Sequence, residues 1–348
     1  MSTFGKMFKI STYGESDGKS TGVVIEGAPS NFFIDIHDIQ RQLNRRKREY
    51  NQISILSSEL DIVEIQSGLE NGLTLGTPIC VMVKNADVKA QDYQYLPNIR
   101  IPRPSQSNLS YLKKYKIFHS NNTNSKETIG RIIAGTIAER WLKIKYSIEI
   151  VAWVSQIGDI KFDIDEGFFL SKGLLNKDIV DTYSTRCPSV GKSMEMDALL
   201  NKVKEQGDTV GGVISCVCRN VPAGVGEPCF DKLDAMLAHA MMSISDAKGF
   251  EMGEGFSSAK MMGCEYNLNK NDMKNTQQNT IKNNEGGIED GISTGSYINF
   301  NVAFKPANLT GNLIMRQKNP CFVYKAVPVV ESMAAVTIAD AIIQQFGK

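Results

Sequence analysis

The chain has 348 residues, 42% hydrophobic and 22% charged, which is enough to bury a sizeable core and excludes a disordered protein. Its 39 Lys and Arg stand against 38 Asp and Glu, a formal charge of +1, so no general field favours a nucleic-acid or membrane partner and small anions remain as ligands. The opening residues alternate Phe4, Met7, Phe8 and Ile10 with Lys6 and Lys9 and do not resemble a leader, and no membrane span of about 18 apolar residues is expected. These features predict a soluble, cytoplasmic protein.

In chain order, Gly22 to Glu26 reads as a strand. Ile36, Ile39 and Leu43 then predict a helix that carries the basic run Arg41, Arg45, Arg46, Lys47 and Arg48. That run is either a solvated helix end, where cations suit the macrodipole, or a multi-arginine grip on a phosphate or carboxylate. Ile62 to Ile65 reads as a second strand. Ile129, Ile132, Ile133, Ile137 and Trp141 form one stripe and predict a helix over Lys126 to Tyr146, with Asn124 or Ser125 as its cap. Gly212 to Val221 predicts a buried strand. Helices are predicted over Asp231 to Ile244, with Asp231 as N-cap, and over Glu331 to Gln345. The Asn- and Lys-rich segment 267–284 predicts a solvated loop, having too little apolar surface to offset ordering.

Seven scattered cysteines read as reduced core residues, and His37, His119 and His239 form no cluster with them, so no metal site is expected. Gly18-Lys-Ser20 and Gly191-Lys-Ser193 look like the end of a phosphate-binding loop, but the glycine needed five positions earlier is Tyr13 or Arg186. The glycine clusters at 249–256 and 286–295 suit tight turns first and a phosphate cradle second.

Ordered motifs nevertheless run through most of the chain: Thr3 to Ser16, Asn44-Arg-Arg46, Asp61 to Gly68, Arg186-Cys-Pro188 and Gly207 to Gly212. They continue with Val221 to Pro228, Lys248 to Phe256, Val302 to Pro306, Asn319-Pro-Cys321 and Ala326 to Glu331. In these residues the chain resembles the chorismate synthase family. The resemblance implies an α+β fold, a β-α-α-β sandwich, with residues 1–348 as a single domain. It also implies a homotetramer, reduced FMN as cofactor with NADP as associated nucleotide, and a small anionic substrate, 5-enolpyruvylshikimate-3-phosphate (EPSP). The family eliminates phosphate from EPSP in a 1,4-anti sense to give chorismate, using two histidines as general acids.

The departures from the family pattern fall on the chemistry. Asp17 stands at the first histidine position, Gln106 at the second, and Gln317, Lys318 and Asn319 replace Arg-His-Asp near the C-terminal end. Arginine positions read Gln52, Ser57 and Ser58, and Phe118 to Thr128 lacks the family's glycines and early arginines, with Lys126 in place of its last arginine. The residues carried over are therefore Asp17 at a catalytic position and Arg46, Arg103, Gly291 and Lys305 for substrate or cofactor, with Asp290 replacing a glycine. Two alternatives follow from the losses: an inactive descendant serving as a structural or binding subunit, and a lyase for a less anionic substrate.

Overall fold

The computed structural model describes residues 2–15, 18–47, 61–85, 113–116, 123–164, 175–271, 283–307 and 320–347. The first sheet contains β1 (Thr3–Phe4), β2 (Lys9–Tyr13), β3 (Ser20–Glu26), β4 (Val63–Ser67) and β7 (Ile79–Lys84), ordered β1-β2-β3-β7-β4 and antiparallel throughout. A short hairpin of β5 (Leu69–Glu70) and β6 (Leu73–Thr74) lies between β4 and β7 in sequence. The second sheet takes β8 (Glu149–Ile157), β9 (Ile160–Lys161), β10 (Gly212–Arg219), β11 (Ala247–Met252) and β14 (Ile298–Phe304), ordered β11-β14-β10-β8-β9. A second hairpin, β12 (Ile288–Glu289) with β13 (Ile292–Ser293), precedes β14.

The helices are α1 (Ile36–Lys47), α2 (Thr123–Tyr146), α3 (Lys177–Thr182), α4 (Val190–Glu205), α5 (Leu233–Met242), α6 (Gly263–Asn271) and α7 (Val323–Phe346). Helix α2 packs on β2 and β3, α7 packs on β8 and β10, and the two helices pack on each other, which builds the β-α-α-β sandwich. Two glycines let α2 come this close. A Cβ on Gly130 would lie 2.8 Å from the Gly22 carbonyl oxygen, and one on Gly135 would lie 2.2 Å from the Ser332 Cβ.

The predicted stripe of α2 is buried as expected, but the helix starts at Thr123, so Asn124 and Ser125 lie inside it rather than capping it. Helix α5 is shorter than predicted. Lys232 takes its N-cap position without a side-chain bond, while Asp231 pairs with Lys6. Helix α7 begins eight residues before the predicted Glu331, and it is long and apolar enough to cross a membrane by length and composition, with a mean hydropathy of 1.7. This corrects the expectation that no such stretch exists. Here 94% of the apolar window is buried inside the protein, because a helix at the centre of a sandwich meets protein on every side.

The segment 267–284 is also not simply a loop. Its first five residues belong to α6, and residues 272–282 lie outside the described ones. At its end Asn283 donates to the Tyr297 carbonyl at 2.7 Å and accepts the Gly287 N–H at 2.8 Å, and buried Asn284 donates to the Tyr266 carbonyl. These amides are turn-forming rather than solvated.

Candidate active site

The last turn of α1 directs its basic residues in different directions. Arg41 is exposed and pairs with Asp38 at 2.9 Å. Arg45 points inward, 2.5 Å from both Asp181 and Glu331 of α7. Glu331 also lies 3.4 Å from Lys177, whose ammonium is 2.6 Å from Glu139, and accepts the Ala152 N–H at 3.1 Å. Burial alone would push the Glu331 carboxyl up; Arg45 and Lys177 outweigh it and hold the group below the usual carboxylate range. Burial likewise opposes the charge on Lys177, and Glu139 and Glu331 reverse that and raise it. The basic run is thus neither a solvated end nor a single grip on a ligand, since Arg45 is a buried structural cation. Periodicity missed this because its acid partners, Asp181 and Glu331, lie 136 and 286 residues away.

Arg46 takes the other direction. Its guanidinium donates to Asp61 at 2.8 Å and reaches Thr128, in the N-terminal part of α2, at 3.5 Å, while Lys47 lies 3.2 Å from the same buried Asp61. One turn along α2, Arg131 donates to Glu127 at 2.8 Å and to the Ser243 hydroxyl at 2.6 Å. Ser243 ends α5, and in the turn that follows Asp246 pairs with the Lys305 ammonium at 2.8 Å. A string of side-chain pairs, joined by short stretches of backbone from Thr128 to Arg131 and from Ser243 to Asp246, therefore runs from Arg46 to Lys305 across one end of the helix layer, where the N-terminus of α2 favours anions. The turn between β2 and β3 hangs from this same end, its Glu15 and Gly18 carbonyls both accepting from Asn85.

Of the residues singled out from the sequence, Arg46 and Lys305 belong to this end. Gly291 does not: its carbonyl accepts the Leu233 N–H at 2.9 Å, at the opposite end of α5, a helix of on the order of 15 Å. Its φ of 88° and Asp290's of 51° mark a tight turn, in line with the turn reading of that glycine cluster. Asp17, Arg103, Gln106, His119 and residues 317–319 lie outside the described residues. His239 is exposed, with its ring beside Phe4. Asp61, Thr128, Arg131 and Asp246 were not singled out, although Asp61 and Thr128 stand inside quoted motifs. Among the described residues no group of His, Cys, Asp and Glu could hold a metal ion.

The fold is an α+β sandwich, with the acid-paired cations Arg46, Arg131 and Lys305 at one end of its helix layer. Residues 8–343 match the chorismate synthase family. The chorismate synthase of Schizosaccharomyces pombe is 39% identical over 99% of this chain and 96% of its own length. That of Saccharomyces cerevisiae is 41% identical over 99% and 97%. A crystal structure of a chorismate synthase superposes with a TM-score of 0.80 at 28% identity, covering 99% of this chain and 94% of that one. The chain belongs to the chorismate synthase family, an enzyme family of the shikimate pathway. Neither the fold nor the relatives favour the inactive descendant.

Proposed function

We propose that the protein converts EPSP into chorismate by 1,4-anti elimination of phosphate, as a carbon–oxygen lyase. The observation that carries this is the near-full-length family match on a fold that keeps Arg46 and Lys305 at one end of the helix layer. Arg46 supplies the planar, bidentate donor set that a carboxylate or phosphate needs, and Asp61 and Thr128 fix the plane in which it is presented. Lys305 adds a second cation at the other end of the string, with Asp246 holding its ammonium.

Reduced FMN, NADP, a cytoplasmic setting and a homotetramer enter this reading from the family resemblance. When bound, a reduced flavin supplies a transient electron and helps remove the substrate's hydrogen. Among the described residues the family-matched Gly291, at the start of α5, and Lys305, beyond its end, stand on the order of 15 Å apart, a separation that an FMN molecule can span. The homotetramer draws support from a cavity of about 910 Å³ over the outer face of the second sheet, where buried Trp153 Nε1 and Asn299 Oδ1 have no hydrogen-bond partner among the described residues.

The test is anaerobic turnover of EPSP with reduced FMN, with a family member as positive control. Chorismate formation is expected. None above background at saturating EPSP would overturn the reading, and titration with reduced FMN and light scattering test the cofactor and the assembly separately.

A further inference from the structure

Arg186 lies outside the string that forms the candidate site, yet it is among the largest fully buried side chains. Each of its three guanidinium nitrogens has an acceptor: Nε donates to Asp181 at 2.9 Å, one amino group to the Tyr324 carbonyl at 2.6 Å, the other to the Arg45 carbonyl at 2.7 Å. In α7 the Tyr324 carbonyl would accept from position 328, which is Pro328 and has no N–H, so an Arg186 amino group takes the place of the helix donor. The Arg45 carbonyl lies in the last described turn of α1.

The backbone of Arg186 is held as firmly. Its carbonyl accepts the Val154 N–H of β8 at 3.0 Å, its own N–H donates to the Tyr183 carbonyl, and its φ is 60°, a strained value for a residue with a Cβ. The same Asp181 carboxylate that receives Arg186 also receives the Arg45 side chain, so one acid ties both arginines.

We propose that Arg186 is a positioning residue for anion binding: by holding the Arg45 carbonyl it fixes the last turn of α1 and the direction in which Arg46, the next residue, leaves it. Because the same guanidinium holds Tyr324, the end of α1 and the start of α7 are one rigid junction. A lysine cannot replace it, since an ammonium on a flexible stem does not span three acceptors set in a plane. The kinetic part of this inference rests on Arg46 binding the substrate anion as proposed above.

The experiment compares Arg186→Lys, Arg46→Lys and the double variant in the full chain. Arg186→Lys should raise KM for EPSP roughly tenfold while kcat stays within about threefold, the loss of about one hydrogen bond to a charged group. In the double variant the KM should match that of the more impaired single variant, since Arg186 acts through Arg46; single effects that multiply would overturn the proposal. Hydrogen exchange needs no turnover. Amides 44–47 should exchange at least about tenfold faster in Arg186→Lys while α5 is unchanged. Unchanged exchange at 44–47, or acceleration spread equally over α5, would overturn it, whereas absent EPSP turnover by the parent protein would count only against the proposed function. If Arg186→Lys does not fold, Asp181→Asn weakens the same hold and must show the same confined exchange.

Discussion

Glu331 of α7 and Arg45 of α1 meet at 2.5 Å in the middle of the helix layer, with the carboxylate almost wholly buried. Glu331→Gln leaves the buried cations Arg45, Lys177 and Arg186 with only Asp181 and Glu139 as acids, so one charge loses its compensation and the variant should cost roughly 3–5 kcal/mol in urea denaturation near neutral pH. The sign of the pH dependence follows from the depressed carboxyl. Its contribution is fully present above the unfolded value of about 4.3 and is lost as pH falls through the folded one. The gap between parent and variant should be flat from about pH 6 to 8 and shrink below about pH 4. A gap that grew on acidification would refute the pairing.

Gly135→Ala tests the helix contact at the centre of the sandwich. Helix propensity alone would favour alanine by about 1 kcal/mol. The new Cβ would lie 2.2 Å from the Ser332 Cβ and 2.4 Å from its Cα, atoms that cannot swing away. Overpacking of about 1–3 kcal/mol should therefore win. Thermal denaturation should show a lower Tm, partly restored by Ser332→Gly in the same chain.

Asp340 gathers the backbone N–H groups of Lys6, Met7 and Phe8 at 3.0, 2.6 and 2.8 Å. Asp340→Ala leaves these donors without their acceptor and should cost on the order of 3 kcal/mol, with faster proteolysis at residues 5–8. Asp340→Asn keeps an acceptor oxygen and should lose markedly less. Equal losses would mean that charge, not hydrogen-bond count, carries the contact.

The seven thiols should separate by burial. Cys229 and Cys264 are exposed, whereas burial pushes Cys187 up to about 12 and Cys321 up to about 11. Cys216 is also raised by burial, with Cys218 beside it. With Ellman's reagent at pH 8, two thiols should react at once, Cys80 more slowly, and the remaining four only on unfolding. Fast reaction of more than three would contradict the packing.

Legibility in the sequence followed the range of the interaction. The stripe Ile129, Ile132, Ile133, Ile137 and Trp141 is a local pattern and identified α2. Ordered motifs identified the sandwich and the family. The division of labour between Arg45 and Arg46 was hidden, because neighbouring residues on a helix point about 100° apart and their partners come from α7 and from Asp61. Gly291 and Lys305 were both carried over from the family, and no local pattern could show that they stand at opposite ends of α5. The full length of α7 was missed because a helix buried on all sides has no polar face to reveal its period.

The clasp between Asp340 and residues 6–8 joins positions 332 to 334 apart in sequence, and α7 is the wall between the two sheets. On the ribosome β8 and β10 of the second sheet emerge long before α7, the helix that covers them. Their apolar faces stay uncovered until residues 323–346 follow, a late, long-range contact of the kind that slows folding.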